Sequence, residues 1–212
     1  MARRVSHEGV GLWLQPYTGL PTRTDPRATL FAARELEVRR VLNWDMGIAV
    51  NPVLRRGQPL IAADYIDWSR HQPSTYFGDT AGASGAMRSR APAFCPQMTA
   101  ALGRALPFAA QAIYLAVDGP RRETPAEARM FRAWGADMIG QNIVPEVSLA
   151  RELGLCYAGL VSIADVSADL APGESQGDLR SGLETTMQAL PAALSFLGGA
   201  PTCSCADDLP AR

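Results

Sequence analysis

Asp165, Glu123 and the pair Cys203 and Cys205 are the residues of this 212-residue chain whose types and positions could do chemistry. Asp165 follows an apolar run, so the strand expected there delivers a carboxyl at its end. Burial would raise its pKa and make it a proton donor; left in water it is an ordinary ionised surface Asp. Glu123 stands just before Thr124, the expected N-cap of a helix. The helix dipole favours a solvated negative charge there, and the same position could face a ligand. Cys203-Ser204-Cys205 has three readings: plain reduced thiols, a strained redox or structural disulfide, and part of a soft-metal site, for which no second Cys or His pair stands nearby. With Cys95 and Cys156 these make four cysteines, which in a chain this long form no small-domain disulfide framework. His7 and His71 have no partner at a recognisable spacing, which argues against a catalytic triad.

Short apolar runs bounded by turn residues alternate with amphipathic segments, and that alternation positions these groups. Strands are expected at residues 10–14, 40–43, 59–66, 112–117, 137–140 and 155–163, and helices at 28–37, 97–106, 125–134, 145–153 and 177–197. The class is α/β: a single domain spanning residues 1–212, with a mixed, mostly parallel sheet flanked by helices. Thr124, Pro125 and Glu127 form a capping box with proline at the first helical position. Gly9-Val10-Gly11 reads as a turn entering a strand rather than a phosphate loop leaving one. Residues 67–92 are rich in Gly, Ser, Thr and Arg without a period, a long connection of the kind that is usually functional or mobile. Trp13, Trp44, Trp68 and Trp134 read as core or interface aromatics. The pairs Arg39-Arg40 and Arg55-Arg56 read as solvated positions flanking strands, or as a source of an anion-binding guanidinium.

Twenty basic against twenty-one acidic residues leave a formal charge of −1, so there is no long-range field for nucleic acid or an anionic membrane. No apolar stretch approaches the length of a membrane span and the start is not a leader, so the expectation is a soluble, cytoplasmic protein with no metal cofactor.

The landmarks Gly119-Pro120-Arg121-Arg122-Glu123-Thr124, then Gly135-Ala136-Asp137, then Val144-Pro145-Glu146 stand in an order that resembles the central signature of the methylthioadenosine and purine nucleoside phosphorylase family. Weaker likeness runs through residues 56–58, 64–67, 74–77 and 92–96 to Cys203 and Cys205, and covers the chain from about Trp13 onward. The resemblance implies that fold and a purine pocket following the Gly-Pro turn. There Arg122 stands where an aromatic residue usually packs on the base, and its guanidinium plane can stack on a heterocycle in the same way. Glu123 matches the branch that reads 6-oxopurines. Asp165 stands where the family faces the purine N7 with Asp or Asn, and Ser167 where the adenine-preferring branch has a second Asp.

The ribose and phosphate region departs from the family pattern. Gln141-Asn142 replaces a Met-Thr pair, and Trp44-Asp45-Met46-Gly47 stands where a small turn binds phosphate, so that Asp45 and Met46 mark an altered phosphate site. A carboxylate there repels an anion. The family's amino-terminal Gly-Gly-x-Gly loop and its strand are not found in this sequence, nor is its Arg-His pair around residues 13–16. Three functions follow. The resemblance implies a phosphorylase that cleaves the N-glycosidic bond of a purine nucleoside such as methylthioadenosine or methylthioinosine, with phosphate as co-substrate and no other cofactor. A phosphate-independent nucleoside hydrolase and a non-catalytic nucleoside-binding or partner subunit are the alternatives. The expected partners are the nucleoside and further copies of the chain, as the family's trimers imply, or a full-length homologue, with Tyr76, Phe77 and Phe94 exposed on a contacting loop.

Overall fold

The computed structural model describes residues 2–7, 9–16, 25–70, 72–77, 92–170 and 177–207; His71 and most of the long 67–92 connection lie outside them. The described elements are β1 (Arg3–His7), β2 (Val10–Leu14), α1 (Pro26–Glu35), β3 (Arg40–Ala49), β4 (Pro59–Asp67), α2 (Pro96–Ala105), β5 (Ala110–Ala116), α3 (Pro125–Ala133), β6 (Met138–Gly140), α4 (Glu146–Glu152), β7 (Cys156–Val166) and α5 (Leu179–Ser195). β1 and β2 form an antiparallel hairpin with Gly9 at φ +80° in its turn.

The other five strands close on themselves in the order β3-β6-β5-β4-β7. β3–β7, β4–β5 and β5–β6 pair parallel, while β3–β6 and β4–β7 pair antiparallel. The expected mixed, mostly parallel sheet with flanking helices is therefore present, curled into a barrel. β7 explains part of this: its first eight residues are all buried, which requires cover on both faces. One cluster around Leu60, Tyr114, Val161 and Ile163 reaches Leu30 of α1 and Val147 and Leu149 of α4. A second joins α2 and α5 to β7, and a third seats Phe131 of α3 against Leu115 and Ile139. α5 crosses residue 57 so closely that a Cβ at Gly182 would collide with the Gly57 carbonyl, which fixes glycine there.

The capping box is made as expected: the Thr124 side chain accepts from the Glu127 N–H at 3.2 Å, and the Glu127 carboxylate accepts from the Thr124 N–H at 2.8 Å. Several expectations are corrected. Trp44 to Gly47 lie inside β3, not in a turn, because the strand runs on to Ala49 along β7. Phe94 is buried, edge-on to Tyr65, and Tyr76 and Phe77 are partly covered rather than exposed. Of the four tryptophans read as core or interface aromatics, Trp13, Trp68 and Trp134 each retain at least 36% of their surface, which leaves only the interface reading open to them.

Candidate functional site

An open cavity of about 1030 Å³ runs along β3 and between the connection after β5 and the start of α4. Arg122, Glu123, Gln141, Asn142, Asp45 and Met46 all line it. The chain enters from β5 through residues 117–123. Gly119 has φ +65°, and a Cβ there would lie 2.5 Å from the Gln141 amide, so only glycine lets this turn lie on Gln141.

Asp45 is 4% exposed, and among the described residues every hydrogen-bond partner of its carboxylate is neutral. Oδ1 accepts from the Asn142 side-chain amide at 2.6 Å and the Met46 N–H at 2.8 Å. Oδ2 accepts from the Tyr114 hydroxyl at 2.7 Å and from the Gln141 and Asn142 N–H groups, each at 3.3 Å. Burial first, then the Asp45 charge, push the Tyr114 hydroxyl well above its ordinary value, so it remains a donor. Glu146, beside it on α4, accepts from Asn43 Nδ2 and the Tyr157 hydroxyl, each at 2.9 Å. Burial raises its pKa against the hydrogen bonds from Asn43 and Tyr157. The cavity floor thus holds two carboxyl groups in a net of amides and phenols.

At the other side of the cavity Arg122 ties three groups together. Its Nη1 donates to Asp165 Oδ2 at 2.7 Å, and its Nη2 donates to Glu123 Oε1 at 3.2 Å and to the Val166 carbonyl at 2.8 Å. The Glu123 side chain is only 3% exposed. Its Oε1 also accepts from the Ala168 N–H at 3.0 Å, while its Oε2 is buried without a hydrogen-bond partner among the described residues. A buried carboxylate oxygen with no donor costs free energy unless a ligand supplies one.

Two of the sequence-based site residues are placed otherwise. The Asp165 side chain is 51% exposed and is not part of the cavity wall; it reaches the site through Arg122. Partial desolvation, which alone would raise its pKa, is outweighed by the Val166 N–H and by Arg122, so its carboxyl is held below the usual range. The condition for a proton donor is not met in this arrangement. Ser167 is buried, and its hydroxyl donates to Asp169 Oδ1 at 2.7 Å, away from the cavity. Arg40 does line the cavity, with Nε and Nη2 buried and without a hydrogen-bond partner among the described residues. Tyr114, Asn43 and Glu146 carry the polar floor, yet sequence reasoning gave them no role. Tyr114 reads as one more apolar strand residue, and Glu146 had a signal only as the third letter of Val144-Pro145-Glu146.

A family model described as the phosphorylase superfamily matches residues 14–196. A probable S-methyl-5'-thioinosine phosphorylase from Methanopyrus kandleri is 33% identical over 156 residues, 71% of this chain and 59% of that protein. The chain thus spans about three fifths of that curated relative. An S-methyl-5'-thioadenosine phosphorylase from Pyrococcus horikoshii is 32% identical over 198 residues, 89% of this chain and 76% of its own length. A crystal structure of a methylthioadenosine phosphorylase from an antarctic soil metagenomic library superimposes with a TM-score of 0.88 at 24% identity, over 98% of this chain and 78% of that one.

Proposed function

Because the chain belongs to the phosphorylase superfamily, we propose that its cavity binds a purine nucleoside of the methylthioadenosine or methylthioinosine kind and cleaves the N-glycosidic bond, with phosphate as the family's co-substrate. The observation that carries this reading is Glu123 Oε2, buried and without a hydrogen-bond partner among the described residues. It suits the N–H edge of a 6-oxopurine, and the Arg122 guanidinium beside it can lie over the ring. Gln141 and Asn142 then border the sugar, and the chain works as one domain of a cytoplasmic homo-oligomer. Departure of the base needs a proton for its ring nitrogen. Asp165 is paired with Arg122, so Arg122 must move away before Asp165 can serve a base.

A second reading is favoured by Asp45. Its carboxylate lies in the cavity wall, satisfied by neutral donors, and a phosphate at contact distance from it meets a repulsion of about 4 kcal/mol at an effective dielectric of 20. That supports weak use of phosphate, or hydrolysis and binding without it. Incubating the protein with a panel of purine nucleosides, with and without phosphate, and following free base by chromatography separates these outcomes. Phosphate-dependent release supports the phosphorylase, and phosphate-independent release supports the hydrolase. Absence of binding by calorimetry to every nucleoside, with Glu123→Ala and Asp165→Asn indistinguishable from the parent chain, refutes the pocket itself.

A further inference from the structure

Cys95 and Cys156 are 61 residues apart in sequence, and Cys203 and Cys205 follow α5, yet all four Sγ atoms lie within 4.8 Å of one another. Each pair is held by a different part of the fold. Cys95 is the N-cap of α2, and its N–H donates to the Tyr157 carbonyl at 2.9 Å; Cys156 opens β7, and its N–H donates to the Arg39 carbonyl at 3.0 Å. The segment after α5 is tied down by the Thr202 N–H on Gln97 Oε1 at 3.1 Å and by Arg40 Nη1 on the Gly199 carbonyl at 3.0 Å. Cys203 Sγ then sits 3.2 Å from Cys156 Sγ and 3.6 Å from Cys95 Sγ.

We propose that these four cysteines form a structural tetrathiolate site for a thiophilic divalent ion, Zn²⁺. Four sulfurs each about 2.3 Å from one ion stand roughly 3.8 Å from each other in a tetrahedron. Two observed spacings, 3.2 and 3.6 Å, fall a few tenths of an ångström short of that value, no pair is more than 4.8 Å apart, and all four cysteines are free thiols. The chemistry balances without an oxidant: one Zn²⁺ displaces four thiol protons and leaves a centre of charge −2. Two features offset that charge. The N-terminus of the ten-residue helix α2 lies at Cys95, where the dipole favours a thiolate. Arg40 is the strand partner of Cys156 and carries buried Nε and Nη2 groups without hydrogen-bond partners among the described residues. Cys95 and Cys156 are buried whereas Cys203 and Cys205 are half-buried, so the ion enters from the side of the chain that follows α5. With all four positions taken by protein the site is closed and holds structure rather than catalysing: it fastens residues 201–205 across α2 and β7. None of the four cysteines lines the cavity, although Arg40 borders both, and the proposal does not depend on how that cavity works.

The test is a zinc titration of the full, reduced chain in competition with a chromophoric chelator, followed by Co²⁺ substitution. The expected result is one ion per chain and the intense visible bands of tetrahedral cobalt with sulfur-to-cobalt charge transfer. Removing the ion with a chelator should lower Tm by roughly 5–10 °C. The variant Cys203→Ser/Cys205→Ser alters only the half-buried pair; it should bind no zinc tightly and show no response of Tm to chelator. If the double variant does not fold, Cys205→Ser should weaken the charge-transfer band by about a quarter. Failure of the reduced parent chain to compete for zinc overturns the proposal. So does a mass two or four daltons low in the chain as isolated, together with no zinc uptake after reduction, which would make the cluster a disulfide site.

Discussion

Replacing Asp45 by alanine should cost about 3 kcal/mol of stability. The carboxylate has three short contacts, to Asn142 Nδ2 at 2.6 Å, the Tyr114 hydroxyl at 2.7 Å and the Met46 N–H at 2.8 Å. Hydrogen bonds to a charged group are worth roughly 1.5–3 kcal/mol each, a gross loss of about 4–9 kcal/mol. Against this stands the release of a buried charge from its desolvation penalty, several kcal/mol, which removes about half or more of that loss. The Tyr114 hydroxyl, wholly buried, is then left with no acceptor, which adds about 1–3 kcal/mol back. The net of about 3 kcal/mol corresponds to a fall in Tm of roughly 6–12 °C for a chain of this length. Asp45→Asn keeps an oxygen for Tyr114 but turns an amide toward the Met46 N–H, so its loss should be smaller, about 1–2 kcal/mol. Urea unfolding of Asp45→Ala, Tyr114→Phe and the double variant closes a cycle in which the double loss should fall short of the sum by about 1–2 kcal/mol. A Tm for Asp45→Ala within a degree of the parent, or strict additivity in the cycle, refutes the argument that this network stabilises the barrel.

Arg122→Ala frees Asp165 and Glu123 at once; the Asp165 carboxyl should then titrate at higher pH than in the parent chain, as followed by carboxyl-carbon NMR, and no change would show that Arg122 does not hold it ionised. Glu146 has a folded-state pKa raised by burial above its ordinary value of 4.5, so above that value the folded chain retains a proton that the unfolded chain has lost. Stability should therefore fall as pH rises from 4.5 through the raised value, and Glu146→Gln, whose Oε1 can still accept from Asn43 and Tyr157, should flatten that slope in denaturant titrations across the window. A parent chain that instead gains stability through this window, with the gain removed by Glu146→Gln, reverses the assignment.

Most of the architecture was legible because strands and helices declare themselves locally. β2 is met at both ends, and the Thr124 capping box is met atom for atom. β1 was missed because Arg3–His7 carries three basic or ionisable side chains and only one large apolar one, and it becomes a strand by pairing with β2. Barrel closure was hidden for a different reason: the pairing of β3 with both β6 and β7 depends on contacts a hundred residues apart, which no local period records. Arg122 and Glu123, expected near a pocket from their place after Gly119-Pro120, line the cavity. Asp165 was assigned by position on β7, but its protonation depends on Arg122, 43 residues away. The four-cysteine cluster shows the same limit. Cys203 and Cys205 announce each other in sequence, whereas Cys95 and Cys156 join them only because α2 and β7 start side by side.

The closing pair of the barrel sets a timetable for synthesis. β3 emerges early, but its full-length parallel partner β7 begins only at Cys156, 116 residues after Arg40. At translation rates of 5–20 residues per second that interval is on the order of ten seconds. During it one side of β3 can pair only with something else, and its apolar Ile48 and Ala49 stand without their final cover. Long-range parallel pairing of this kind is slow to nucleate and leaves nascent chains prone to associate through open edges. The nascent chain should therefore bind holding chaperones until β7 has left the ribosome. Ribosome-stalled chains that end just before β7 should be protease-sensitive throughout β3, and chains that present β7 outside the ribosome should gain protection of β3 and β7 together.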